Sequence, residues 1–310
     1  MIELPGDPYH GPPAPSLSKN TGLTISIVIC TRCRPGYLRK CLKAIQELEP
    51  GADEVLVVDN TTGDGETHAV AREFGARYVV EEMPGLSRAR NRGMIECCSD
   101  IVAFVDDDAA PDVQWLKFLL APFSDDAIAV VTGRIFTPES DPLNNSQESP
   151  RFLSNKDPRW FETATFGGMG LGSNMALRKS ACAGRKIFDE RLGRGAPFQI
   201  AEEYYAFASL ISHGHTAAYV PNAVVFHPPL SRSNVEQEAR NSISYWLLLF
   251  SEFPGQRLGL VRFLLRRLMR KRLTWPRDSQ DPGEIITSGW RVLIKAGFRA
   301  VVLFFRTSKS

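Results

Sequence analysis

The chain has 310 residues, 43% of them hydrophobic and 23% charged, and a formal net charge of +2. That ordinary globular composition excludes disordered and collagen-like classes, and no run of about 18 apolar residues marks a membrane span. The small net charge hides a split: 255–310 holds 13 Lys and Arg against 3 Asp and Glu, so the tail stands at +10 and the preceding body at −8.

Residues 1–22 contain Pro5, Pro8, Pro12, Pro13 and Pro15 and no apolar segment, which reads as a disordered leader and not a signal peptide. Cys30 and Cys33 have C-x-x-C spacing, but no second pair completes a zinc site. Free thiols in a reducing compartment, and so a cytoplasmic body, are expected. Patterns then alternate: strand over 24–30, helix over 37–48, strand over 54–59, helix over 66–74, strand over 77–80, helix over 87–98, strand over 101–106, helix over 112–123 and strand over 127–135. Such alternation predicts βαβ units and a parallel sheet with helices on both faces. The polar, Pro-rich 138–158 predicts a long loop, of the kind that closes over a site. A glycine-rich block at 167–177 follows, then a helix over 202–213, strands over 217–220 and 224–227, and helices over 235–250, 258–273 and 284–305.

The chemistry collects where the strands end. Asp106-Asp107-Asp108 closes the apolar run Ile101–Val105, and three adjacent carboxylates there suit a hard divalent cation, with a solvated acidic turn capping the next helix as the plain alternative. The first strand ends in Thr31-Arg32 and the second in Asp59, which can accept hydrogen bonds from a uracil- or ribose-type group or serve as a turn residue. Ser87 reads as the N-cap of a helix whose Arg88, Asn91 and Arg92 share a face, suited to an anionic diphosphate or to pairing with Glu96. Gly172 and Asn174 belong to a turn through which a backbone could approach a ligand. Glu202 and Glu203 open a helix, where carboxylates complement the dipole or supply a general base. His227 ends a strand and is either structural or a metal ligand. Neither a dinucleotide fingerprint nor a P-loop is present. In the tail, Arg262, Arg266 and Arg270, and again Arg291, Lys295 and Arg299, form basic stripes beside apolar faces. Basic amphipathic helices of this kind suit an anionic membrane surface, the alternative being helices packed on the domain. Nucleic acid is disfavoured, because no reader motif occurs.

Taken in order, Thr31-Arg32, Val57-Val58-Asp59, Gly85 with Ala89-Arg90-Asn91-Arg92-Gly93, Phe104 to Asp108, Gly172-Ser173-Asn174, Phe188-Asp189-Glu190, Glu202-Glu203 and Val220-Pro221 with Phe226-His227 resemble a family 2 glycosyltransferase over about 24–227. The resemblance implies a GT-A type, Rossmann-like α/β fold with a mixed, mainly parallel sheet: a domain over 23–232 followed by a basic helical extension over 233–310. It implies inverting transfer from a nucleotide diphosphate sugar, of UDP type, to a glycan or lipid-linked hydroxyl, in polysaccharide or glycolipid assembly at the inner face of a membrane. Asp106 would face the ribose. Mn²⁺ or Mg²⁺ would sit on Asp108, with Asp106 and His227. Thr31, Arg32 and Asp59 would hold the nucleobase end, and Arg88, Arg90, Asn91, Asp107, Gly172 and Asn174 the rest of the donor. Where the family has Gly-Glu-Asp this chain has Ala201-Glu202-Glu203, which leaves the base open between Glu203 and Glu202. A nucleotidylyltransferase and a non-catalytic sugar- or lipid-binding scaffold remain the alternatives.

Overall fold

Parallel pairing of the first strands follows from their patterns. In the computed structural model, which describes residues 22–63, 65–137, 149–229 and 235–269, β1 (Ile25–Thr31) lies between β2 (Glu54–Asp59) and β4 (Ile101–Asp106), and β3 (Arg77–Val80) lies outside β2. All three pairs are parallel, and the apolar residues of β1 and β4 are buried on both faces, while those of the outer β3 are half-buried. Helices α1 (Pro35–Gln46), α2 (Gly65–Glu73) and α3 (Leu86–Glu96) make the crossovers. α1 begins at Pro35, whose fixed φ suits a first helical position, and buries Leu38, Cys41, Leu42 and Ile45 at helical spacing.

The other half departs from the simple alternation. β5 (Ala110–Pro111) is a two-residue strand, and α4 (Trp115–Leu120) is shorter than its pattern because the chain tightens into a 3₁₀ turn at Ala121–Ser124. β6 (Ile128–Phe136) does not join β4. Between them lies β8 (Asn174–Arg178), antiparallel to both. The stretch expected to be one long loop contains β7 (Arg151–Leu153), and α5 (Trp160–Thr165) follows it. α6 (Glu202–Ser212) appears where its pattern places it.

The two strands expected after α6 are one, β9 (Thr216–Phe226), parallel to β6 with a register shift where Pro221 and Asn222 interrupt the pairing. Proline has no N–H for the ladder, so a bulge forms there. The order is β3-β2-β1-β4-β8-β6-β9-β5, with β7 also on β9. Gly133 faces the bulge, and a Cβ at that position would lie 1.9 Å from the Ala223 carbonyl oxygen and 2.6 Å from Asn174 Nδ2. Gly133→Ala should therefore destabilise the fold by about 3 kcal/mol, read as a lowered denaturant midpoint at unchanged slope.

Two apolar layers cover the sheet. One is built with α1, α2 and α4, the other with α3, α5, α6, α7 (Val235–Glu252) and α8 (Arg257–Met269). Tyr245, Leu248 and Leu249 of α7 are fully buried in that second layer. Residues 1–21 of the leader expected over 1–22, residues 138–148 of the expected loop, the end of the helix expected over 258–273, the helix expected over 284–305, and Arg270, Arg291, Lys295 and Arg299 lie outside the described residues.

Candidate active site

Register aligns the polar strand ends on one edge. Thr31 is opposite Asp59, Cys30 opposite Asp106 and Val105 opposite Asn174. The His227 N–H donates to the Phe136 carbonyl at 2.8 Å, so His227 stands on the same edge.

From Thr31 an unbroken series of polar contacts crosses that edge. Thr31 Oγ1 donates to Asp107 Oδ2 at 2.7 Å. Arg34 Nη1 lies 2.9 Å from Asp107 Oδ1, and its Nη2 donates to Asp108 Oδ2. Asp108 Oδ1 is 3.2 Å from His227 Nε2, which lies 3.6 Å from Asp106 Oδ2. Asp106 Oδ1 is 3.5 Å from Arg90 Nη2, and Arg90 Nη1 donates to Glu202 Oε1 at 2.6 Å. Glu203 follows on α6, its carboxylate near the backbone of Gly172. A Cβ on Gly172 would come within 2.9 Å of both Arg90 Nη atoms, so glycine there leaves room for the guanidinium.

The electrostatics divide the carboxylates. Burial works to raise Asp106 and Asp108. For Asp106, His227 and Arg90 overcome it; for Asp108, His227 and Arg34 do, and both carboxyls lie below the usual range. Asp107, which has no bond from His227, is pushed up to about 6 by burial and by the charges of Asp108 and Asp106, against the pull of Thr31 and Arg34. Burial, then the charge of Glu202, pushes Glu203 up to about 8, with Arg90 opposing. Burial would lower His227, but its hydrogen bonds to Asp106 and Asp108 and the Pro228 carbonyl raise it to about 10.

The Pro228 carbonyl, 2.6 Å from His227 Nδ1, can only accept, so Nδ1 carries a hydrogen and Nε2 faces the carboxylates. Asp106, Asp108 and His227 each offer a ligand atom within 4.8 Å of the others. Two carboxylate oxygens and one imidazole nitrogen fit a divalent cation.

Other expected site residues are held elsewhere. Asp59 is fully buried, accepting from Tyr78 Oη at 2.6 Å and Thr61 Oγ1 at 2.9 Å. Asn174 Oδ1 accepts from Trp115 Nε1, and its Nδ2 donates to the Arg134 and Ala223 carbonyls, each at 2.8 Å, which ties three strands and α4 together. Asn91 is locked to the backbone of Phe188 by a bond in each direction. Arg88 pairs with Glu190 at 2.7 Å and Arg92 with Glu96 at 2.7 Å, while Arg32 is exposed. Ser87 is not the N-cap. Gly85 is, at φ 143, and Ser87 Oγ donates to the Leu192 carbonyl. Ala201 precedes α6 at φ 68, which glycine adopts without strain, so the family's glycine position falls on a left-handed turn. Arg34 carried no recognisable motif of its own. Only its fork onto Asp107 and Asp108 marks it.

A mixed sheet of this order with an acidic and histidine cluster on its edge is the GT-A class of glycosyltransferase fold. The glycosyl transferase family 2 pattern matches residues 26–184, just over half of the chain, and the protein belongs to that family. Glycosyltransferase AglE of Haloferax volcanii is 33% identical over 119 residues, a match spanning 36% of this chain and 39% of that protein. Among solved structures, mannosyltransferase PcManGT of Pyrobaculum calidifontis, in complex with GDP-Man and Mn²⁺, shares the fold at a TM-score of 0.59 and 15% identity over 91% of this chain and 87% of that one. S. aureus TarS 1–349 with UDP-GlcNAc does so at 0.60 and 15%, over 91% and 82%.

Proposed function

We propose that the protein is an inverting glycosyltransferase that moves a sugar from a nucleotide diphosphate sugar, of UDP type, to a hydroxyl of a glycan or lipid-linked acceptor in polysaccharide or glycolipid assembly. The observation that carries this reading is the polar series joining the Asp106, Asp108 and His227 cluster to Glu202 through Arg90. Those three residues would hold Mn²⁺ or Mg²⁺, which when bound neutralises charge on a departing diphosphate. The solved relatives named above contain GDP-Man with Mn²⁺, or UDP-GlcNAc, in keeping with such a donor.

The two glutamates take separate roles in this reading. Glu202 is 6% exposed and ion-paired to Arg90, so it fixes the guanidinium that also meets Asp106. Glu203, pushed up to about 8, is the base: its carboxylate accepts the acceptor's hydroxyl proton while that oxygen bonds to the anomeric carbon and the bond to the diphosphate breaks. Thr31 and Arg32 serve the nucleobase side. Asp59, Asn91 and Asn174 support it as scaffold, because their polar groups are bound by the protein. Incubation with a panel of UDP- and GDP-sugars plus Mn²⁺ should release nucleoside diphosphate from at least one donor. No release from any, together with no binding of the free nucleotides, would sink the reading.

α8 supports the second partner, an anionic membrane surface. Leu260 is buried and Phe263 and Leu264 pack on the core, while Leu258, Val261 and Leu265 are exposed on the opposite side. At about 100° per residue, Arg257 falls on one flank of that exposed strip and Arg262 and Arg266 on the other. Arg266 is paired with Glu162 at 2.9 Å, and the strip flanked by Arg257 and Arg262 fits the headgroup boundary, each of those two cations contributing about 1 kcal/mol on an anionic leaflet. The protein should sediment with phosphatidylserine vesicles at low salt, and Leu258→Asp with Leu265→Asp should abolish this. Equal recovery with neutral vesicles would count against it. No helix among the described residues is long and apolar enough to cross a membrane.

A further inference from the structure

The acidic cluster is neutralised by three of the protein's own cationic side chains, and they differ in freedom to leave. Arg90 is 3% exposed and His227 9%, while Arg34 is 33% exposed. Arg34 immediately precedes α1, so only its side chain enters the cluster. Its fork spans two neighbouring carboxylates, one Nη on Asp107 and the other on Asp108. That bidentate geometry suits two oxygens of a phosphate equally well. The guanidinium also lies 4.5 Å from the ring centroid of Tyr37, a contact it can keep outside the cluster.

A divalent cation on Asp106, Asp108 and His227 would need the Asp108 carboxylate, one oxygen of which Arg34 now engages. It would also set two positive charges beside the guanidinium, which repel it strongly in a partly buried site. A diphosphate arriving with the cation supplies the negative charge that would draw Arg34 away. We propose that Arg34, forked on Asp107 and Asp108, holds the Asp108 carboxylate in place of the divalent cation and transfers its fork to the donor's diphosphate as cation and nucleotide bind, coupling the two events. Arg34 is thereby a positioning residue for the donor, and the inference rests on the donor reading given above.

The test follows Mn²⁺ binding to the full chain by the electron paramagnetic resonance signal of the free ion, with and without UDP, and with GDP as a second nucleotide. In the wild type, nucleotide should tighten Mn²⁺ by about tenfold or more. Arg34→Gln should bind Mn²⁺ alone about tenfold more tightly than wild type, and nucleotide should then add less than about threefold. A role confined to holding the loop in shape would instead weaken Mn²⁺ in the variant. Mn²⁺ affinity no higher than wild type, or coupling of the wild-type size, overturns the inference. Should Arg34→Gln not fold by circular dichroism, Arg34→Lys decides. Lysine is shorter and lacks the planar fork that grips both carboxylates, so Mn²⁺ alone must bind more tightly than in wild type, and equal affinity overturns the inference. If the wild type itself binds neither Mn²⁺ nor nucleotide, the donor reading falls with it, and the wild-type titration shows this before any variant is made.

Discussion

Asp108→Ala should lower transfer by about 10³-fold or more and remove the Mn²⁺ dependence of nucleoside diphosphate binding. Asp108 is the one carboxylate of the triple aspartate that meets both Arg34 and His227. It is held ionised well below the usual range by those two partners, so at neutral pH it presents a full negative charge. The substitution leaves His227 beside Asp106 and Arg34 on Asp107, so no buried charge loses its last partner and the fold should persist. Calorimetry of UDP binding with and without Mn²⁺ decides the matter. Unchanged Mn²⁺-dependent binding in the variant would remove Asp108 from the cation site.

Glu203→Gln should lower turnover by about 10²-fold or more with donor affinity nearly unchanged, as loss of a general base does. The pH profile gives a second readout. A base must be ionised, and burial with the charge of Glu202 holds Glu203 protonated to well above the usual carboxylate range, so wild-type kcat/KM should climb as pH rises above that range and the climb should vanish in the variant. Stability should move the opposite way. A carboxyl raised above its unfolded value stabilises the fold fully below that unfolded value, and the contribution is lost as pH rises through the raised one. Glu203→Gln cannot ionise, so at alkaline pH it should melt at a higher temperature than wild type. If Glu202→Gln proves the more damaging change in turnover, the base moves to Glu202.

How far the site could be read from the sequence depended on how local each signal was. Asp106 and Asp108 were legible because an apolar β-branched run closed by carboxylates is a contiguous pattern with few uses. His227 was visible as a histidine ending a strand, but its partners stand at 106 and 108, and only the pairing of β6 with β9 brings it there. Ser87 was misread because a serine before a helical run usually caps it, whereas here the chain turns two residues earlier at Gly85, whose φ of 143 is open to glycine. Arg34 was missed because its neighbours Arg32 and Cys33 give it no distinguishing pattern. Its role depends on where a guanidinium reaches.

The first four strands, the helices between them and the acidic strand end were legible in the residues alone, because those features rest on hydrophobic periodicity and turn chemistry within a few residues. The sequence also carried the family, through motifs kept in order along the chain. Only the tertiary structure decided that β8 runs antiparallel between β4 and β6, since periodicity of two records which face a side chain takes and nothing about its neighbour's direction. The tertiary structure also decided that Arg90 joins Asp106 to Glu202 while Asn91 beside it serves the backbone of Phe188. Adjacent residues on a helix point about 100° apart, so what each meets depends on the packing of α3 against distant segments, and no local pattern encodes that.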